Sequence, residues 1–232
     1  MTLTPNGPDL ASVSCLDDPV RGRLYEFVAR RSEPAGRDEA AAAAGISRAL
    51  AAYHLDKLVE YGLLTASYER PPGRSGPGAG RPAKVYARSG REFAVTVPAR
   101  EYELAARLLV RAVESDPSRR SRAALGEAAQ QLGAELGQAF RDAGPDDGGT
   151  QPDLSRLLAE HGFEPEHGRD GTIRLRNCPF HQLAERHREV VCSMNLALIE
   201  GLVAGLRLDG RLRPVLDPRP GHCCVAIGAE RS

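Results

Sequence analysis

The sequence predicts an α+β chain in three parts, and three observations carry that prediction. Between residues 17 and 96, three short stretches with helical periodicity precede two strand-like runs separated by a Pro/Gly-rich stretch. Between 97 and 143, two amphipathic stretches follow one another with a break at Asp116-Pro117-Ser118. From 153 to 230, helical and strand-like segments mix, and four of the five cysteines fall there. The expected organisation is a disordered tail (1–16), an N-terminal winged helix-turn-helix (17–96), a helical linker and dimerisation segment (97–143) and a small C-terminal α+β effector domain (153–230).

The elements follow in order. Residues 1–16 carry Pro5, Gly7 and Pro8 and no helical period, so they read as a tail, with Cys15 incidental. Asp18-Pro19 opens a helix, because Asp caps orphan amides and Pro suits the first turn. Val20, Leu24, Phe27 and Val28 continue it to Arg31, and Ser32–Gly36 breaks it. Asp38–Ala44 is a short Ala-rich helix ended by Gly45. Ser47 caps a third helix that runs to about Tyr61, with Leu50, Tyr53 or His54, Leu55, Leu58 and Val59 as its apolar face. Gly62 stops it. Residues 63–68 and 83–87 read as the strands of a hairpin whose tip is PPGRSGPGAGRP (71–82). Helices are expected at 99–114, with Tyr102, Ala105, Leu109 and Val113 on one stripe, and at 119–141, with Leu125, Ala128, Leu132, Leu136 and Phe140. A loop at 144–152 reads as a domain boundary. Beyond it come a short helix around Leu154–Leu158, strands near Phe163 and at 172–176, helices at 180–190 and 192–206, and closing strands at 212–216 and 223–227.

Composition narrows the function classes. Lys+Arg and Asp+Glu balance at 31 each, so net charge does not announce a polyanionic partner. Distribution says more: residues 70–91 hold Arg70, Arg74, Arg81, Lys84, Arg88 and Arg91 and no acid. Trp is absent and aromatics make up 5%, so the cores must be aliphatic and Ala-rich. No apolar run reaches the length of a membrane span. The opening MTLTPNGPDLASVSC lacks the pattern of a secretory signal, so the chain reads as cytoplasmic, where thiols stay reduced.

Three helices and a hairpin form the plan of a winged helix-turn-helix. In that plan the Ser47-capped helix enters the major groove of double-stranded DNA and its first side chains meet base edges. The candidates are Ser47, Arg48, Ala52, Tyr53 and His54. Arg48 suits a bidentate contact to guanine, and Lys57, further along, a phosphate. His54 and Tyr53 are equally readable as packing residues. In the hairpin, Arg74, Arg81 and Lys84 sit where a wing would grip the backbone. Residues 46–64, ISRALAAYHLDKLVEYGLL, resemble the recognition segment of bacterial ArsR-like winged-helix regulators, and GRPAKVY resembles their wing return strand. That resemblance, over about residues 17–90, implies a DNA-binding repressor or activator that is usually a homodimer, a role the helices at 99–141 suit.

Cys178, Cys192, Cys223 and Cys224, with His181 and His222 flanking, offer soft ligands for zinc, copper(I) or an iron–sulfur cluster. The spacing is not a compact Cys-x2-Cys signature, so buried apolar thiols with no metal remain the plain alternative. In a regular strand Cys223 and Cys224 would point to opposite faces, and both could serve one metal only across a bend. NCPFHQLAERHREVVC followed by CCVAI resembles the C-terminal region of SufR-type iron–sulfur regulators. The resemblance implies Cys178, Cys192 and one of Cys223 and Cys224 as ligands, with His181 a further candidate. The helix SMNLALIEGLVAGL and the vicinal cysteine pair depart from that pattern. Two other readings stay open. One is a C-terminal domain that binds a small molecule or partner protein without metal. The other is an enzyme with Cys192 as nucleophile and His181 or His187 as base, although no phosphate-binding Gly loop accompanies it.

Overall fold

A computed structural model describes residues 7–69, 82–93, 95, 101–143 and 149–229. The chain divides into two compact units, 1–100 and 101–232.

The first unit holds α1 (Gly7–Cys15), α2 (Pro19–Ala29), β1 (Ala35–Gly36), α3 (Arg37–Ala44), α4 (Arg48–Glu60), β2 (Leu64–Glu69) and β3 (Ala83–Arg88). Asp18 caps α2 by accepting from the Val20 and Arg21 amides at 2.9 and 3.1 Å. Gly45 ends α3 at φ 66°, a left-handed conformation that glycine adopts without a Cβ penalty. The chain then turns sharply into α4, where the Ser47 hydroxyl accepts from the Leu50 amide. Leu24 and Val28 of α2, Ala40 and Ala41 of α3, and Ala51, Leu55 and Leu58 of α4 meet in one core with Leu63, Leu64 and Tyr86.

Three features differ from the sequence expectation. The stretch expected as a tail forms α1 from Gly7: Cys15 is buried in the core, and the Ser12 hydroxyl donates to the Tyr61 carbonyl at 2.8 Å. Burial and this long-range bond order a segment whose Pro/Gly composition hid its apolar positions. The break after α2 contains β1, whose Ala35 pairs with Tyr86 and Gly36 with Val85, so the wing sheet has the order β1-β3-β2. On α4 the buried stripe is Ala51, His54, Leu55 and Leu58, and Leu50 is exposed.

The second unit holds α5 (Tyr102–Glu114), α6 (Arg120–Asp142), α7 (Gln151–Glu160), β4 (Pro165–His167), β5 (Ile173–Leu175), α8 (His181–Arg186), α9 (Arg188–Gly205), β6 (Leu212–Leu216) and β7 (Val225–Ala229). The strands make an antiparallel sheet ordered β4-β5-β7-β6. Leu154, Leu157 and Leu158 of α7 and Ile199, Leu202 and Val203 of α9 bury against Ile173, Leu175, Val225 and Ile227 of the sheet. Thr150 and Asp153 cap α7 reciprocally.

The boundary expected at 144–152 falls inside this unit, because α6 packs directly along α9. Of the stripe expected on α6, Leu136 and Phe140 pack half-buried against the core, but the fully buried positions lie elsewhere. Leu132 is exposed, and the buried positions are Ala129, Gly133 and Gly137. These glycines meet Gly201 and Gly205 of α9 in parallel order, with helix backbones so close that a Cβ on Gly137 would lie 2.6 Å from the Leu202 carbonyl oxygen. Gln130 and Ala134 backbone atoms crowd Gly201 and Gly205 in return. Arg122 pairs with Glu189 near one end of this seam, and Arg141 donates to the Gly205 carbonyl at the other. On α5 no residue is buried, and Tyr102, Leu104, Leu108 and Leu109 are exposed.

Candidate nucleic-acid interface and thiol pocket

The α3–turn–α4 segment presents Ser47, Arg48 and Tyr53 outward, with Ala52 half-buried beside them. Arg48 lies 2.9 Å from Asp38 of α3, with both side chains largely exposed. Such a pair contributes about 0–1 kcal/mol, so a nucleic-acid acceptor can displace Asp38 at little cost. Tyr53 is 57% exposed, whereas His54 is 8% exposed and turned into the core. His54 is therefore a packing residue and not part of the exposed face. Helical geometry gives the reason, since position 54 shares its stripe with Ala51, Leu55 and Leu58. Lys57 is half-buried and bonded to Glu60 at 2.7 Å.

The wing divides its cations. Arg74 and Arg81 lie outside the described residues. Lys84 is described and committed elsewhere: its ammonium donates to Asp56 Oδ1 at 2.7 Å, and the Tyr86 hydroxyl donates to the same oxygen at 2.7 Å. Arg37 Nε in turn donates to the Tyr86 hydroxyl at 3.1 Å. Burial pushes the Asp56 carboxyl up, but hydrogen bonds from Lys84 and Tyr86 outweigh it and hold the group below the usual carboxylate range. The bond to Asp56 raises the Lys84 ammonium above its ordinary value. Asp56, Tyr86 and Arg37 thus tie α4, β3 and the start of α3 together. Sequence reasoning missed this network. Its only sequence signal was an acid in mid-helix beside a Lys-x-Tyr strand. Arg37, Asp38, Arg48, Tyr68 and Lys84 also line a cleft of about 600 Å³ between α3, α4 and the base of the wing.

In the second unit, Cys178, Cys192, Cys223 and Cys224 line one cavity of about 740 Å³. They arrive on three separate segments. Cys178 follows β5, Cys192 sits on the first turns of α9, and Cys223-Cys224 lies in a bend ahead of β7. The strand expected from 223 starts at Val225, so the bend lets both vicinal thiols reach the pocket. The Cys223 amide donates to the Leu175 carbonyl at 2.7 Å, which anchors this bend to β5. None of the five cysteines is in a disulfide. His181, exposed and 3.3 Å from Glu185, stands on the rim, as do Arg188 and His222. His187 instead bonds Glu114 of α5 at 2.9 Å and does not line the cavity, so it is not poised as a base for Cys192.

The four thiols lie close enough in this cavity to shift one another's ionisation. Cys223 Sγ accepts a hydrogen bond from Asn195 Nδ2. Hydrogen bonds from Cys178 and then Cys224, aided by the Val225 amide and Asn195, push its thiol far down against the opposing effect of burial. Cys178 and Cys224 are pushed up by the same sharing and by burial. Asn195 is fully buried one turn beyond Cys192 on α9, and its Nδ2 donates to Cys223 Sγ at 3.2 Å. Its Oδ1 has no hydrogen-bond partner among the described residues. Leaving such a buried acceptor unpaired costs about 1–3 kcal/mol. Among the described residues no group of three or more His, Cys, Asp or Glu side chains is gathered to hold a metal ion as it stands.

A family model described as a helix-turn-helix domain matches residues 16–65. The match spans α2 through the start of β2, the module that carries major-groove recognition in DNA-binding regulators. Neither curated proteins nor solved structures give a match. No described helix is long and apolar enough to cross a membrane.

Proposed function

We propose that this chain is a sequence-specific DNA-binding transcriptional regulator whose second unit holds a thiophilic metal or an iron–sulfur cluster that modulates DNA binding. One observation carries the sensor part of this reading: four cysteines distant in sequence line a single cavity. The helix-turn-helix match supports the DNA-binding part. Arg48 and Ser47, exposed at the start of α4, are the proposed base readers, with Ala52 and Tyr53 beside them.

The donor set fits the group in its chemistry. Thiolates bind zinc and iron–sulfur clusters, and N–H donors aimed at sulfur tune such centres. Cys178, Cys192, Cys223 and Cys224 would hold it, with His181 as an alternative ligand at the rim. Binding would require the thiols to give up their protons as metal–sulfur bonds form, so affinity would rise with pH. A cluster bound here would supply redox sensitivity, whereas zinc would supply a structural tie.

Purification without oxygen, with an optical spectrum and quantitation of iron, sulfide and zinc, tests the reading. Metal or cluster near one equivalent supports it, and none after attempted reconstitution removes it. A second reading, a small-molecule or partner pocket without metal, is favoured by the absence of a gathered ligand set among the described residues. It predicts operator affinity indifferent to chelator and oxidant. For assembly, the exposed apolar face of α5 supports a homodimer through Tyr102, Leu104, Leu108 and Leu109. Leu109→Asp should shift the sedimentation coefficient toward the monomer.

A further inference from the structure

We propose that Asn195 is a positioning residue that holds the Cys223 sulfur, through an N–H···S hydrogen bond, as the anchoring ligand of the thiol pocket. The inference rests on the metal-binding reading of that pocket and assigns a role to a residue with no ligating chemistry of its own.

Asn195 is an amide with no solvent exposure, in a helix whose neighbouring buried positions, Val190, Val191, Ile199 and Leu202, are apolar. An apolar residue of the same size would fill this place without stranding Oδ1, which has no hydrogen-bond partner among the described residues. What the amide contributes is its other end, with Nδ2 3.2 Å from Cys223 Sγ. Helical spacing delivers it. Cys192 and Asn195 stand three residues apart, on one face of α9, so the helix that supplies one thiol also supplies the donor to another. This N–H donor therefore meets a sulfur that is itself fixed, since Cys223 is 4% exposed and is tied to β5 by its own backbone amide.

A sulfur held by an N–H donor loses rotational freedom and keeps a lone pair aimed at the cavity. Its electrons are also drawn down in energy, which a bound metal would report spectroscopically. Groups that orient a ligand in this way typically change metal affinity about 10- to 100-fold when removed.

The test uses the full chain, prepared without oxygen and loaded with cobalt(II) as the probe. Asn195→Leu matches the side chain in size and removes both the donor and the stranded acceptor. Asn195→Asp keeps the shape and replaces the donor with an acceptor. Thermal unfolding of the metal-free proteins establishes that each variant folds, and the two variants differ enough that one can stand if the other does not. The expected result is a loss of cobalt affinity of about 10- to 100-fold, with the sulfur-to-cobalt charge-transfer band moved to lower energy because the thiolate is no longer hydrogen-bonded. Unchanged affinity and band position in a folded variant would overturn the proposal while leaving the pocket as a metal site. Weaker binding with an unmoved band would also overturn it, since packing alone gives that result. Failure of the wild-type chain to take up cobalt, zinc or iron would remove the metal reading and this inference together.

Discussion

The same substitution on one helix should have opposite signs at two positions eleven residues apart. Gly126 and Gly137 both lie in α6. A Cβ at Gly126 meets nothing within 4 Å, whereas one at Gly137 would sit 2.6 Å from the Leu202 carbonyl oxygen and 3.0 Å from Gly205 Cα. Replacing Gly by Ala in a helix interior gains about 0.8–1 kcal/mol from propensity alone. Gly126→Ala should realise that gain. At Gly137 the atoms met are helix backbone, which cannot rotate aside, so α6 and α9 must separate by roughly 1 Å to restore ordinary contact. A gap of that size forfeits a quarter to a half of each affected dispersion contact, and overpacking of this kind costs about 1–3 kcal/mol. Taking about 3 kcal/mol against about 1 kcal/mol, Gly137→Ala should destabilise the second unit by about 2 kcal/mol. Urea unfolding of the two variants measures this directly. The thermal midpoint should rise by a few degrees in one and fall by about twice as much in the other. Equal effects at the two sites, of either sign, would refute the close glycine seam.

Three further outcomes follow from the first unit. Asp56→Asn should lower its stability by about 1 kcal/mol at neutral pH, by weakening the acceptor shared by Lys84 and Tyr86. Because the folded carboxyl titrates below its unfolded value, the wild-type contribution is complete above about pH 4 and is lost as pH falls through the depressed folded value. The variant should therefore show a flatter acid limb when melting is followed from pH 6 to pH 2.5, and an unchanged limb would argue against the network. Arg48→Ala should weaken a cognate duplex by about 5- to 150-fold, the range of one bidentate base contact, with far less effect on random duplex. Equal loss in filter binding on both would reject Arg48 as a base reader. Lys84→Ala should lower the melting temperature and leave the salt dependence of DNA affinity nearly unchanged, since its ammonium already serves Asp56. A salt slope reduced by about one unit would instead place Lys84 on a phosphate.

The order of elements was legible in the sequence wherever a local signal exists. Asp18-Pro19, Gly45, Ser47 and Gly62 each act within a few residues, through caps and left-handed turns, and they fix the start of α2, the end of α3 and both ends of α4. Periodicity placed β6 at 212–216 for the same reason. The gathering of cysteines toward the C-terminal half was also visible as composition. Periodicity was less decisive about which face a helix buries. On α4 it left Tyr53 and His54 equivalent, and on α6 it found Leu136 and Phe140 but not the glycines that are most deeply buried.

Those choices belong to partners remote in the chain. Gly133 and Gly137 are buried because Gly201 and Gly205 lie opposite them, some seventy residues away, and a leucine there would hold the two helices apart. Asp56 finds Lys84 and Tyr86 only when β3 returns beside α4. Asn195 looks like an ordinary polar residue until Cys223 is brought to 3.2 Å from it. Local caps and turns, whose energetics depend on near neighbours, determined the winged-helix order from the sequence alone. The thiol pocket and its buried amide were decided by tertiary structure, because burial and long-range hydrogen bonding exist only once the chain has closed on itself.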